Sequence, residues 1–385
     1  MRITFISPTV NLGGGTKVIA IYAKALMRMG HIVCLVSPPP QPISFRRRLK
    51  SVLMGNGWPS NQARPPSHLD GSAIDHRVLN RWRSVLDGDV PDADVVVATW
   101  WETAEWVNAL SPEKGAKVYF IQGHEVFSHL PVARSQATYR FQMHKIVIAE
   151  WLREVMSTQY GDHVVDVVPN SVDRSQFFAE TRGKHAVPTV GFLYSTVPVK
   201  GLDISLAVIE LVRRRTPSLR VMSFGSEHPS VALPLPKHAC FFFRPAQHEI
   251  RNLYSQCDVW ISTSRSEGFN LPAMEAMACR TPVVATRTGW PEEAVQAGKN
   301  GFLVDVDDID ALARGMESVL SLSDREWRNM SSNALETVAS GSWQQSAEKF
   351  ELALKHACRR SARGEIAGQC SERTYNALGV SVQHT

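Results

Sequence analysis

At 385 residues the chain is longer than one ordinary domain of roughly 100–200 residues, so two domains are expected. A hydrophobic fraction of 44% and a charged fraction of 21% exclude a disordered or fibrous protein. A net charge of +5 is too small to point to nucleic acid, but it suits phosphates or an anionic membrane surface. The opening Met-Arg-Ile-Thr-Phe-Ile-Ser-Pro is too short and interrupted for a signal peptide, and no window approaches the ~18 apolar residues that span a bilayer. A cytoplasmic location is therefore expected, with attachment to the inner face of a membrane left open. The cysteines, at 34, 240, 257, 279, 358 and 370, form no Cys-x-x-Cys pair. They are expected to be free, mostly buried thiols rather than zinc ligands.

The first segment alternates strand and helix. Residues 2–7 read as a strand, 11–16 as a glycine turn, and 18–29 as a helix with Ile19, Tyr22, Ala23 and Leu26 on one face. Gly30 ends that helix, and 31–36 is the next strand. This opens a doubly wound α/β sheet. Residues 38–89 are less regular and hold a basic stretch and a Pro/Gly/Ser-rich loop. Strands follow at 93–99, 117–122, 146–149 and 164–168, with helices at 103–110 and 150–159. A polar segment, 171–188, reads as the linker between domains. The second series has strands at 189–193, 219–225, 240–243, 259–263, 282–286 and 301–304. Its helices fall at 204–214, 247–256, 273–278, 292–297 and 309–320. Residues 324–362 are helix-forming, and the tail from 363 reads as weakly ordered.

The sharpest chemical signal runs from Ser264 to Ala278. Seven residues separate Glu267, in a glycine-containing loop after a strand, from Glu275, in a helix opening near Pro272. A helix N-terminus after a tight loop offers free N–H groups and a positive dipole end, a site for a diphosphate. A carboxylate on each side can accept hydrogen bonds from sugar hydroxyls. Lys200-Gly201-Leu202-Asp203, after the strand at 189–193, places a lysine at a β-α turn, where it can neutralise a diphosphate leaving group. Gly13-Gly14-Gly15 at the first β-α turn lets backbone amides approach a ligand. It is neither a dinucleotide fingerprint nor a Walker loop, and Ser37 stands where a dinucleotide reader needs an acid.

The stretch from Ser264 through Ala278, continuing into Arg280-Thr281-Pro282-Val283-Val284-Ala285-Thr286, resembles the E-x7-E region of retaining glycosyltransferases of family 4. The resemblance implies a GT-B fold, two Rossmann-like doubly wound domains facing a central cleft. It implies residues 1–170 as the acceptor-side domain, 189–340 as the nucleotide-sugar donor domain, and a helix at 341–362 returning to the first. Glu267 would contact the donor sugar, Glu275 the ribose, and the amides around Phe269, Asn270 and Leu271 the distal phosphate. Gly14 and Gly15 would face the donor phosphates, Lys200 the leaving diphosphate, and His124, in Gln122-Gly123-His124-Glu125, the donor sugar. Glu267, Lys200 and His124 thus form the catalytic set. The family often has glycine where this chain has Asn270 and Arg280. It also has an arginine upstream of the lysine, absent here, for which Arg265 is the candidate substitute. Val168-Pro169-Asn170-Ser171-Val172-Asp173 resembles its strand-to-linker motif.

The implied reaction moves a sugar from a nucleotide diphosphate-sugar to a hydroxyl on a glycan or lipid-linked glycan, with no cofactor and no required metal. A nucleotide-sugar epimerase and a non-catalytic sugar-binding scaffold on the same fold are the alternatives. Two readings stay open. Trp100 and Trp101, beside Glu102, either offer a ring to an acceptor sugar, with Trp101 and Glu102 as the acceptor candidates, or pack at the sheet edge. The basic stretch from Phe45 to Leu53 is either an interfacial helix on anionic lipid or an ordinary surface helix.

Overall fold

The computed structural model describes residues 1–43, 48, 49, 52 and 66–379. The chain divides into two units, Met1–Val168 with the segment from Ala347 onward, and Pro169–Ser346. The first unit runs β1 (Arg2–Ile6), α1 (Gly14–Arg28), β2 (Ile32–Ser37), β3 (Asp75–Val78), β4 (Val95–Ala98), α2 (Trp101–Ala109), β5 (Ala116–Ile121), α3 (Val132–Thr138), β6 (His144–Val147), α4 (Glu150–Tyr160) and β7 (Val165–Val167). The second runs β8 (Thr189–Tyr194), α5 (Leu202–Arg215), β9 (Arg220–Gly225), β10 (Cys240–Phe243), α6 (Ile250–Ser255), β11 (Val259–Ser262), α7 (Leu271–Ala278), β12 (Val283–Thr286), α8 (Trp290–Ala294), β13 (Gly301–Val304), α9 (Ile309–Ser321) and α10 (Asp324–Thr337). Then α11 (Trp343–Ala362) enters the first unit, which also holds α12 (Glu372–Ala377).

Both sheets are parallel, in the orders β3-β2-β1-β4-β5-β6-β7 and β10-β9-β8-β11-β12-β13. The GT-B architecture of two Rossmann-like sheets is what the resemblance implied. Helices cover both faces of such sheets, so their central strands read as unbroken apolar runs. Val95-Val96-Val97-Ala98 of β4 is wholly buried, as is Val190 and Phe192 of β8. In α1 the positions Ile19, Tyr22, Ala23 and Leu26 turn inward as their spacing requires.

Helix α11 joins the first unit through an aromatic knot. The Phe350 ring stacks on Tyr22 at 4.6 Å and meets Phe120 edge-on at 5.0 Å. Next to it, Asp166 of β7 accepts hydrogen bonds from His144 of β6 (2.9 Å) and His356 of α11 (3.0 Å).

The helix-forming stretch 324–362 divides into α10 and α11, with Gly341, at φ +89°, in the break between them. Three expectations are corrected. The tail from 363 is not weakly ordered over its described part. Ala367 bridges the Lys117 amide and the Gln142 carbonyl, and Ile366 and Tyr375 are buried. Cys358 and Cys370 form a disulfide, with Cα atoms 5.8 Å apart, whereas Cys34, Cys240, Cys257 and Cys279 are free. Strand β3 was missed because Asp-His-Arg-Val is a polar, largely exposed edge strand without alternation. Most of the stretch from Phe45 to Leu53 lies outside the described residues.

Desolvation by burial opposes ionisation of Asp166, but its two histidine partners prevail and hold its carboxyl down at about 2. A depressed carboxyl contributes stability above its unfolded pKa and loses it as pH falls through the folded value. Stability of the first unit should therefore decline between about pH 4 and pH 2 by about 1–2 kcal/mol from this group, allowing for solvent screening. Acid titration of urea midpoints checks it, and Asp166→Asn should flatten the decline over that window.

Candidate functional site

Each sheet reverses its strand order once, between β1 and β4 in the first unit and between β8 and β11 in the second. Loops leaving the carboxyl ends of such strands diverge and leave a crevice, where ligands of open α/β sheets bind. The candidate residues fall on these loops or on the one after β5.

In the second unit, the turn Pro198–Lys200 follows β8 and closes at Gly201, with φ +62°. A Cβ at Gly201 would lie 2.0 Å from the Thr263 carbonyl oxygen, so only glycine lets the two loops approach this closely. The Thr263 hydroxyl donates to the Gly201 carbonyl (2.7 Å), and the Arg265 amide donates to the Val199 carbonyl (2.8 Å). This stitching delivers the Lys200 ammonium to both carboxylate oxygens of Glu267, at 2.8 and 2.9 Å. The Ser264 hydroxyl donates to the same carboxylate at 2.6 Å.

Helix α7 starts at the end of this loop, with Asn270 as its N-cap at φ +78°. Asparagine tolerates the left-handed region because its short amide bonds locally. Here the Asn270 carboxamide oxygen accepts the Ala273 amide, and its nitrogen donates to Ser262 at 2.7 Å. Arg280 also has positive φ, +60°. Both positions where the resembling family carries glycine are thus left-handed, and the substitutions keep the backbone. Glu275, buried on α7, accepts the Tyr254 hydroxyl at 2.9 Å. Burial and the Glu275 charge push the Tyr254 phenol well up, so it remains a donor.

Gly289 was not singled out from the sequence. At φ +64°, a Cβ there would meet the Glu267 Cβ at 2.9 Å and the Phe269 carbonyl oxygen at 3.0 Å. The Trp290 amide donates to that carbonyl at 2.8 Å. The available signal was a glycine between a strand and a Pro-containing helix start, Thr288-Gly289-Trp290-Pro291.

Arg265, the candidate second donor cation, is already paired. Its guanidinium holds Asp203 at 2.7 and 2.9 Å and Asp307 at 2.8 Å, and these carboxylates account for its charge. Asp305 pairs with Arg287 and Asp307 with Arg265, and Asp308 is the N-cap of α9.

In the first unit, Gly13 caps α1 and its amide is held by the Asn11 carboxamide at 2.6 Å. A Cβ on Gly14 would meet nothing within 4 Å, and one on Gly15 would reach only the Gln122 side chain, at 3.6 Å. The first turn of α1 is therefore sterically open. His124 shares a 2.7 Å hydrogen bond with the Tyr160 hydroxyl through Nε2, and desolvation lowers its pKa, so the ring is neutral at pH 7. Next to it Glu125 is buried; its carboxylate accepts the Trp101 amide at 2.7 Å, and its own amide donates to the Tyr139 hydroxyl at 2.8 Å.

Trp101 is not an acceptor platform. It is the first residue of α2, is 4% exposed, and has the Arg134 guanidinium over its ring at 5.3 Å. Glu102 is half-buried, and desolvation raises its carboxyl against the pull of Arg134.

Among the described residues, His144, Asp166 and His356 alone bring three potential metal-ligating atoms within 4.8 Å of one another. Both imidazoles bond the carboxylate, and Arg360 approaches the other His144 nitrogen at 3.1 Å, so hydrogen bonding satisfies the cluster.

Residues 173–337 match the family described as glycosyl transferases group 1. A GDP-mannose-dependent alpha-(1-6)-phosphatidylinositol monomannoside mannosyltransferase of Mycolicibacterium smegmatis is 27% identical over 258 residues, covering 59% of this chain and 68% of that protein. A D-inositol 3-phosphate glycosyltransferase of Corynebacterium urealyticum is 33% identical over 176 residues, 42% of this chain, and the chain spans only 41% of it. Among solved structures, sucrose-phosphate synthase from Thermosynechococcus elongatus superposes with a TM-score of 0.68 at 16% identity, over 92% of this chain and 98% of that one. Anabaena HepE, solved with UDP and glucose, gives 0.65 at 18% identity over 92% and 100%. These two likenesses show the fold.

The two glycine positions separate steric from ligand roles. Gly289→Ala should destabilise the second unit by about 2–4 kcal/mol, through the clash and the positive φ. Gly14→Ala should leave the melting temperature unchanged or raise it, by up to about 1 kcal/mol of stability. Thermal and urea denaturation of both variants measure this, and a destabilised Gly14→Ala would contradict the open first turn.

Proposed function

Given that this chain is a GT-B glycosyltransferase whose residues 173–337 belong to the glycosyl transferases group 1 family, we propose that it transfers a sugar from a nucleotide diphosphate-sugar to a glycan or lipid-linked glycan hydroxyl, with retention at the anomeric carbon. The observation that carries this reading is the Lys200–Glu267 pair, held beside the N-terminus of α7 at the switch point of the second sheet.

The diphosphate lies on the amides at the start of α7, around Phe269, Asn270 and Leu271. It replaces Glu267 as the counterion of Lys200, and the freed carboxylate takes the sugar hydroxyls. Glu275 binds the ribose. In the reaction the bond from the anomeric carbon to the diphosphate oxygen breaks, and the acceptor oxygen attaches on the same face. The departing diphosphate takes the acceptor's proton. Lys200 and the helix N-terminus stabilise the charge that develops on the leaving oxygen. The family resemblance alone assigns Gly14 and Gly15 to the donor phosphates and His124, neutral at pH 7, to the donor sugar. The reading needs no resident cofactor or metal, so a chelator should leave turnover unchanged.

Among the described residues no helix is long and apolar enough to cross a membrane. A peripheral contact through residues 45–53 belongs to the proposal on sequence pattern alone. It is tested by whether Leu49→Glu abolishes sedimentation with anionic vesicles.

Lys200→Ala should lower kcat about 100-fold and also weaken nucleotide binding, because the ground-state diphosphate loses its counterion, whereas Glu275→Ala should act mainly on nucleotide binding. A thermal-shift panel of GDP, UDP and ADP conjugates, led by the GDP-mannose named for the mycobacterial relative, finds the donor. A ligand at 100 times its Kd stabilises by about 2.7 kcal/mol. Full activity in both variants would overturn the site assignment, and sugar interconversion without acceptor would overturn the transferase reading.

A further inference from the structure

The first unit carries a second concavity, away from the loops above. A groove of about 590 Å³ lies between β7, the last strand of the sheet, and one face of α11. Lys349, Leu352, His356, Arg359 and Arg363 line it. Their spacing of three and four residues puts one stripe of side chains along the helix and just past its end. From Lys349 to Arg359 the helix rises about 15 Å.

The charges of this stripe are not spent internally. Among the described residues neither Lys349 nor Arg359 has a carboxylate within ion-pair distance, and Arg363 reaches only Glu365, at 3.7 Å. The one acid lining the groove, Asp166, is already engaged by His144 and His356. Between the cations lies Leu352, 58% exposed. Cations thus stand at both ends of this stripe along α11, with the exposed Leu352 between them. A ligand that uses both ends carries more than one negative charge along a chain. A pyranose ring presents an apolar C–H face and polar edges, so an acidic sugar chain meets both requirements. A single phosphate does not span the ends. A bilayer surface would need a convex apolar face, whereas this surface is concave with one exposed leucine.

We propose that the groove binds a carboxylate-bearing oligosaccharide, a stretch of the acceptor chain away from its reacting end. This rests on the glycan-acceptor reading of the protein. It fits the topology, because Val168, which follows β7, lies at the same carboxyl edge of the sheet as Gln122 and His124 after β5. The acidic chain lies along α11, its carboxylates on Lys349 and on Arg359 with Arg363, and a ring face on Leu352.

Fluorescence anisotropy with labelled oligogalacturonate and the full chain tests this. Saturable binding is expected, weakening as salt rises. Lys349→Glu/Arg359→Glu should raise Kd about tenfold. Lys237→Glu/Lys299→Glu, the same change in net charge on exposed residues of the second unit, should not. Neutral maltooligosaccharide of equal length should not compete. The proposal is overturned if oligogalacturonate fails to bind, binds the groove variant equally well, or is displaced by the neutral chain. It is equally overturned if poly-glutamate, inorganic phosphate or phosphatidylglycerol vesicles show the groove dependence and oligogalacturonate does not. The nucleotide-induced thermal shift is read on the same samples. Its absence from the unaltered protein counts against the transferase reading, while its presence without oligosaccharide binding counts against the groove alone.

Discussion

The geometry of the second unit depends on one close approach, the backbone of Gly201 against the carbonyl of Thr263. Two loops leaving neighbouring parallel strands diverge by default, because their helices cover opposite faces of the sheet. Here the absence of a Cβ lets the loops after β8 and β11 touch, and the hydrogen bonds at Gly201, Thr263 and Arg265 hold them there. The Lys200–Glu267 pair follows from that contact. Gly289 supports the same loop from the other side, against Glu267 and Phe269. The charged pair is thus positioned by three stretches of backbone rather than by long flexible side chains.

The sequence made the alternation of strands and helices, and the placing of Lys200 and Glu267 on loops after strands, legible because both arise from local pattern. Val95 to Ala98 and Thr189 to Tyr194 are apolar runs that only a doubly covered sheet buries, and the two glutamates flank a recognisable loop-to-helix start. What sequence could not reveal depended on partners distant in the chain. Arg265 looked available until Asp203 and Asp307 were placed beside it, 62 and 42 residues away. Trp101 could have been an acceptor platform or packed at the sheet edge, and only the fold decides: its amide is claimed by Glu125, 24 residues on, and its ring is buried. The disulfide between Cys358 and Cys370 was hidden for another reason, since nothing in the spacing of these residues separates a bonded pair from two buried thiols.

Helix α11 shows how one amphipathic element serves two purposes in the first unit. Its buried face, with Phe350 at its centre, completes an aromatic cluster begun by Tyr22 and Phe120. Its opposite side carries Leu352 together with Lys349 and Arg359, which have no carboxylate partner among the described residues. An aromatic anchor of this kind contributes beyond its buried area, which allows the outer face to depart from what stability alone would choose.

The electrostatics of the second unit's site set a constraint on how it can hold a diphosphate. Arg265 is neutralised by Asp203 and Asp307, and Lys200 by Glu267. The described side chains of this loop cluster therefore offer no surplus positive charge. A diphosphate must gain its attraction either by displacing Glu267 from Lys200 or from the amides and dipole at the start of α7, worth roughly half a unit charge. Displacement leaves a buried carboxylate in need of new hydrogen-bond donors, and sugar hydroxyls are such donors. On the proposed reading, diphosphate and sugar would satisfy the two halves of one ion pair, and a nucleotide without its sugar would leave Glu267 short of partners. On that reading the ion pair itself would discriminate in favour of the complete donor.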